Sequence, residues 1–387
     1  MKVIILGTAH PFRGGGISTF NETMAHEFIK HGHSVLIYTF TLQYPDFLFP
    51  GKSQYTDEAG PTDLFIHEKV NSVNPFNWIR IGREIAKLKA DLMIVKFWLP
   101  FMGPSLGTIS RIVTGNGKTK VISIIDNIIP HEKRPGDYLL SKYFVNSVDG
   151  FVVMSNSVMN DVSKFDEKKP KAFSPHPLYD NFGEAIEKTT AYEKLGLSKS
   201  GKYMLFFGFI RDYKGLDLLL QAMTDKRITD LNVKLIVAGE FHGNANYYSD
   251  LIRQLGIEDK LVLRTEFIPN SEVRNYFCAA DIVVQPYKHA TQSGVTQICY
   301  HFDKPMLVTN VGGLPEIVPH GKVGYVVAPQ PKEIADSIVD FYENDREYNM
   351  RDNIMLEKKK YNWQGMLSTI FSMEDEINKR KSANVNA

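Results

Sequence analysis

Short, uninterrupted apolar runs recur along this chain, each followed by a segment long enough for a helix, and the series is broken once by a charged stretch near the middle. In the first half the runs are Val3 to Leu6, Ser34 to Thr39, Leu92 to Val95, Val121 to Ile125 and Phe151 to Met154. In the second half they are Tyr203 to Phe207, Lys234 to Ala238, Val262 to Glu266, Ile282 to Val284, Met306 to Thr309 and Gly324 to Val327. They are rich in Val and Ile and do not alternate strictly with polar residues, which is how strands buried on both faces of a parallel sheet read. Helices are expected between them at Ile17 to Lys30, Asn77 to Lys89, Leu216 to Ala222, Tyr247 to Leu255, Ser271 to Cys278 and Pro331 to Tyr342. Strands alternating with helices in two separate halves predict two doubly wound α/β domains, facing each other across a cleft.

The break places the boundary. Ser174-Pro175-His176-Pro177-Leu178 is stiff and extended because each proline restricts itself and the residue before it. Glu184 to Lys202 contains little that must be buried. Residues 174–200 therefore read as the crossing between domains plus the first polar elements of the second. The expected organisation is an N-terminal domain over 1–178, a C-terminal domain over 179–362, a helix over 363–380 packing back on the N-terminal domain, and a disordered tail over 381–387. A chain of 387 residues suits two cores. Its formal net charge of +1 gives no global argument for nucleic acid or for an anionic membrane. Cys278 and Cys299 sit in apolar surroundings and read as buried free thiols in a reducing cytoplasm. The run Met1 to Leu6 is too short for a signal peptide, and no apolar stretch is long enough to span a bilayer, so a cytoplasmic protein is expected.

Phosphate-binding signals follow the strands. After the first comes Gly7-Thr8-Ala9-His10-Pro11-Phe12-Arg13-Gly14-Gly15-Gly16-Ile17, three glycines directly before a helix. Backbone N–H groups can approach a ligand closely there, and the helix start adds unpaired donors and a positive dipole end. The alternative is a flexible surface turn. The spacing is not that of a dinucleotide fingerprint, and no carboxylate ends the second strand; nor is there a Walker A motif. In the second half, Tyr203 to Phe207 runs into Gly208-Phe209-Ile210-Arg211-Asp212-Tyr213-Lys214-Gly215. Arg211 and Lys214 stand three apart at a helix entrance, a planar fork of donors beside a compact charge, as a diphosphate needs. A solvated basic pair is the alternative. Val237-Ala238-Gly239-Glu240 and Thr309-Asn310-Val311-Gly312-Gly313 end two more strands at the edge where open α/β sheets bind ligands.

In their order these residues resemble the GT-B fold retaining glycosyltransferases of family 4 (glycosyl transferases group 1). The landmarks are Gly14-Gly15-Gly16, Gly208 with Arg211 and Lys214-Gly215, Val237 to Glu240, Ala279-Ala280-Asp281, Pro286, and Pro305 through Glu316. The resemblance implies a nucleotide-sugar donor on the C-terminal domain and an acceptor, a glycan or lipid-linked sugar, mostly on the N-terminal domain. It implies no tightly bound cofactor, no required metal and no nucleic-acid partner. By position, Arg211 and Lys214 hold the donor diphosphate, Gly15 and Gly16 lie against it with Gly208, and Glu240 and Phe267 border the base.

The sequence departs from the family at two places. The family's Glu-x7-Glu pair falls on Ala290 and Ile298, neither an acid. Gln292, Ser293, Thr296 and Gln297 are left to offer neutral hydrogen bonds to the donor, and Ser293-Gly294-Val295 to meet phosphate if they open a helix. The family's histidine after Val121 to Ile125 is replaced by Asp126, with His131 five later; either can position a hydroxyl or accept a proton, and turn or capping roles are the alternatives. On the acceptor side stand the aromatic loop Thr39 to Pro50 and the strand end with Phe97 and Trp98, which stack on sugar, touch a membrane at its inner face, or simply fill core. An NDP-sugar-dependent hexosyltransferase leads; a catalytically decayed nucleotide-sugar-binding protein and a sugar-nucleotide epimerase or hydrolase are the alternatives.

Overall fold

The computed structural model describes residues 1–13, 16–45, 53–130, 134–179, 182–242 and 245–385. The chain falls into two compact units, Met1–Pro177 with Tyr361–Ala387, and Leu178–Lys360.

In the first unit the strands are β1 (Lys2–Leu6), β2 (Ser34–Leu42), β3 (Ile66–Asn71), β4 (Leu92–Phe97), β5 (Lys120–Ile125), β6 (Gly150–Val153) and β7 (Lys171–Phe173). The helices are α1 (Ile17–Lys30), α2 (Pro75–Lys87), α3 (Gly103–Thr114), α4 (Asp137–Val145) and α5 (Asn156–Ser163). Among the described residues the strands form one parallel sheet in the order β3-β2-β1-β4-β5-β6-β7. Val3 to Leu6 and Leu92 to Val95 are completely buried, so the centre of the sheet is covered on both faces. The chain order reverses between β1 and β4, and that switch point opens a crevice at the carboxyl ends of the strands.

The second unit repeats the plan. Its elements are α6 (Lys188–Leu195), β8 (Lys202–Phe207), α7 (Leu216–Ala222), α8 (Lys226–Asp230), β9 (Val233–Ala238), α9 (Ala245–Leu255), β10 (Leu261–Arg264), α10 (Asn270–Ala279), β11 (Ile282–Gln285), α11 (Gly294–His301), β12 (Met306–Thr309), α12 (Leu314–Ile317), β13 (Gly324–Val327), α13 (Pro331–Glu343) and α14 (Arg346–Glu357). The parallel order is β10-β9-β8-β11-β12-β13, with its switch point between β8 and β11. The landmark Asp281 belongs to the opposite end of this sheet. It accepts from the Tyr203 N–H at 2.8 Å and the Tyr342 hydroxyl at 3.0 Å and pairs with Lys188, so its role is to pin the start of β11.

The final helix, α15 (Trp363–Val385), lies on the first unit. Trp363 packs on Phe20 with ring centroids 5.0 Å apart, and Lys381 pairs with Asp149 at 2.8 Å. This corrects the expected disordered tail, because the helix continues through most of residues 381–387 to Val385. Basic side chains near the end of the helix find acceptors on this unit: Arg380 donates to the Lys168 carbonyl at 2.6 Å.

Candidate functional site

In the first unit, α1 begins at Gly16, whose φ of 110° is one that side chains rarely adopt, and a Cβ there would meet nothing within 4 Å. Gly14, Gly15 and His131 lie outside the described residues, as do residues 46–50 of the aromatic loop. Beneath the first turn of α1 sits a group that sequence reasoning missed. Lys96, on β4, has 2% of its side chain exposed, and its ammonium donates to Asp126 Oδ1 at 2.8 Å. The same ammonium lies 3.5 Å from the centroid of the Phe20 ring. Burial pulls its pKa down, against the attraction of Asp126. His176 is buried beside them, and burial and then the Lys96 charge push it down to about 3, so it is neutral. Its Nδ1 faces the Pro177 carbonyl at 2.7 Å and therefore carries the proton. Asp126, one residue past β5, keeps 17% of its side chain exposed. The signal in the sequence was a lone lysine ending an otherwise apolar strand, Leu92-Met93-Ile94-Val95-Lys96.

The two aromatic residues expected on the acceptor side part company. Phe97 is completely buried and stacked on Phe144 at 4.1 Å, which makes it a core ring and corrects its assignment to the acceptor. Trp98 is half-buried, and its indole N–H donates to the Tyr44 hydroxyl at 2.6 Å, which fixes it to the described part of the aromatic loop.

In the second unit, Gly208, Arg211, Lys214 and Val295 converge at the switch point. Gly208 has φ 95°, and a Cβ on it would stand 2.9 Å from Lys214 Nζ and 4.0 Å from Val295. The Lys214 ammonium has no ion pair or hydrogen bond among the described residues, and the centroid of the Tyr287 ring lies 5.7 Å from it. The two acids beside it in sequence are engaged elsewhere, since Lys288 holds Asp212 at 2.8 Å and Asp217 at 3.0 Å. Desolvation, and then the Arg211 charge, push the Lys214 ammonium down to about 7. Arg211 donates to His242 Nδ1 at 3.2 Å. That leaves the imidazole proton on Nε2, facing the buried Glu240 carboxylate at 3.9 Å. His242 was missed, although it stands two residues after Glu240. Phe267 is half-buried just past β10, on the same edge of the sheet.

Ser293 opens α11, as its N-cap: its hydroxyl accepts from the Val295 N–H at 3.3 Å and lies 3.3 Å from the Tyr287 hydroxyl. Gln292 and Gly294 are half-buried beside it. Thr296 and Gln297 were expected to face a ligand, but both are completely buried. Thr296 donates to the Ser293 carbonyl at 2.5 Å, within its own helix turn. Ala290 and Ile298, where the resemblance puts acids, are buried apolar residues. Among the described residues no group of three or more His, Cys, Asp and Glu could hold a metal ion.

Residues 201–344, most of the second unit, match the sequence profile of glycosyl transferases group 1. Over those residues the chain is similar to the glycosyl transferases group 1. An uncharacterized glycosyltransferase of Methanocaldococcus jannaschii is 30% identical over 180 residues, covering 46% of this chain and 45% of that one. A D-inositol 3-phosphate glycosyltransferase of Corynebacterium urealyticum is 24% identical over 259 residues, covering 64% and 60%. The chain thus spans about half to three fifths of the length of these relatives. Over the whole chain the fold matches sucrose-phosphate synthase from Thermosynechococcus elongatus, with TM-score 0.73, 14% identity and 100% coverage of both. It also matches Anabaena HepE solved with UDP, with TM-score 0.72, 13% identity and coverage of 99% and 100%. The fold of the chain is therefore GT-B, two parallel α/β units in one chain.

Proposed function

We propose that this chain is a retaining glycosyltransferase that moves a hexosyl group from a nucleoside-diphosphate sugar to a glycan or lipid-linked acceptor. The observation that carries the reading is Lys214, a largely desolvated ammonium beside a second cation, with the neighbouring acids held by Lys288. A desolvated cation without a carboxylate is stabilised by an anion brought from outside, and a diphosphate has the charge and the donors-to-acceptors match. The solved complex of HepE with UDP supports the same class of ligand.

In this reading the bond from the anomeric carbon to the diphosphate oxygen breaks, and the negative charge that grows on that oxygen meets Arg211, Lys214 and the N–H groups opening α11. The acceptor oxygen attacks the same face of the sugar and gives its proton to the departing phosphate. Gly208, with its φ of 95°, lets backbone lie against the phosphates. Asp126 accepts a hydrogen bond from a sugar hydroxyl, held in place by Lys96. The first unit takes the acceptor, with Trp98 as its aromatic wall, and the second takes the donor. Ala290 and Ile298 favour a second reading, a nucleotide-sugar-binding protein that no longer transfers, because no carboxylate stands where the resemblance places two.

Calorimetric titration with UDP, GDP, ADP and dTDP and their sugars tests the first reading. It predicts saturable binding of one base series and release of the diphosphate when a glycan acceptor is supplied. Binding with no release under any acceptor favours the second reading, and no binding by folded protein contradicts both.

A further inference from the structure

Helix α14, the last α-helix of the second unit, is apolar on two opposite sides. Inward it buries Met350 and Ile354 and packs on α13. Outward it presents Tyr348, 78% exposed, with Met355 and Leu356, 48% and 65% exposed. Tyr348, Arg351, Asp352, Met355 and Leu356 stand three or four apart, so they form one stripe along the side away from Met350 and Ile354. A single exposed apolar residue is ordinary, but three on one stripe make a patch. The charges of the helix divide in the same way. Asp340 holds Arg346 at 3.3 Å, Lys188 lies 3.7 Å from Glu347, and Lys360 holds Glu357 at 2.6 Å. Arg351 and Asp352, at the middle of the stripe, are exposed and make no ion pair among the described residues. The stripe is therefore apolar at both ends, with one unpaired cation and one unpaired anion between them.

We propose that this stripe is the contact of a two-fold symmetric dimer, in which α14 of one copy packs antiparallel on α14 of a second copy. A two-fold interface must be complementary to itself, because the same patch supplies both sides. The stripe meets that condition about a point between Arg351 and Asp352. Reading the helix backwards from that point sets Tyr348 of each copy against Met355 of the other, and Arg351 of each against Asp352 of the other. Both unpaired charges then find opposite partners, twice over, between two apolar contacts. Charge also fixes the register: a two-fold axis at Asp352 itself would set that carboxylate against its own copy. A partner of another kind would not require opposite charges to exchange places about the centre. The contact is small, since 12 helical residues span roughly 18 Å. It falls below the interface of a tight complex, so the dimer is weak and forms as concentration rises. It is independent of sugar transfer.

The test is sedimentation velocity of the full chain over about 1–300 μM, where the sedimentation coefficient should climb from monomer towards dimer. Arg351→Asp sets acid against acid, and Asp352→Arg sets base against base, so each variant alone should self-associate roughly tenfold more weakly. Mixed in equal amounts, the two variants should pair again, because every Asp then meets an Arg. The double exchange, Arg351→Asp with Asp352→Arg, should dimerise like the unaltered chain. Tyr348→Ser, which adds no charge, should weaken the dimer roughly tenfold by removing an aromatic anchor from each side. These side chains are exposed, and thermal midpoints equal to that of the unaltered chain confirm folding; a charge variant that unfolds leaves Tyr348→Ser and the double exchange to decide. A chain that stays monomeric throughout overturns the proposal and leaves the stripe to a different partner. Dimerisation unchanged in Arg351→Asp and Tyr348→Ser, or folded single variants that fail to pair when mixed, overturns it as well.

Discussion

Each unit places a lysine near its switch point, Lys96 buried and Lys214 half-buried, and the two are satisfied in opposite ways. Lys96 has its carboxylate inside the protein, with Asp126 2.8 Å away. Lys214 has none among the described residues, and Lys288 holds the two acids nearest it in sequence, Asp212 and Asp217. Burial depresses both ammonium groups, but only Lys96 has an internal anion pulling the other way. The difference separates two uses of the same side chain. A paired buried lysine fixes the geometry of its neighbour; an unpaired, desolvated one is stabilised by an anion brought from outside.

The largest effect should come from breaking the closed pair. Asp126→Ala leaves Lys96 buried with no anion and should destabilise the protein by about 3–5 kcal/mol, read from urea unfolding. Lys96→Met together with Asp126→Leu should recover most of that loss, since a well-packed apolar pair replaces the ions; no recovery would mean that the pair does more than fill the core. The open site should behave in reverse. Lys214→Met should leave stability unchanged or slightly higher and lower diphosphate affinity about 10- to 100-fold, or about 1.5–3 kcal/mol, by calorimetry. A loss of stability without loss of affinity would erase the contrast between the two lysines. Smallest, Ser293→Ala removes the side-chain cap of α11 and should cost about 1 kcal/mol of stability. Its effect on diphosphate affinity should be slight, because in the proposed reading the phosphate meets the backbone N–H groups of the helix start.

The central strands were legible because burial on both faces demands apolar residues without alternation. Met306 to Thr309, and the apolar edge strand Gly324 to Val327, were read to the residue. A polar edge strand was not: β3 reads Ile66-His67-Glu68-Lys69-Val70-Asn71, and a strand with one wet face need not be apolar. Helix α6 was hidden for a similar reason, since Lys188 to Leu195 exposes most of its length and buries chiefly Ala191 and Tyr192. Arg211 and Lys214 could be found because local spacing at a helix entrance carries their meaning. Lys96 with Asp126, and His242 with Arg211, are contacts between residues 30 and 31 apart. Spacing says nothing of such pairs, which form only when neighbouring strands bring their ends together. Phe97 was misplaced because a strand end can point its ring either into the core or out of it, and sequence does not distinguish the two.

The most direct test is the proton balance of diphosphate binding, measured by calorimetry near pH 8 in buffers of different ionisation enthalpy. In the free protein Lys214 titrates at about 7 and is mostly neutral at that pH, whereas an unfolded lysine stays charged to its ordinary value of 10.5. The unpaired cation therefore destabilises the free fold as pH falls from 10.5 towards 7, and a bound diphosphate reverses this by restoring the proton. Uptake of about one proton per diphosphate bound, abolished in Lys214→Met, is the predicted result. Binding with no proton uptake, or with uptake unchanged in Lys214→Met, would contradict the assignment of this lysine to the diphosphate.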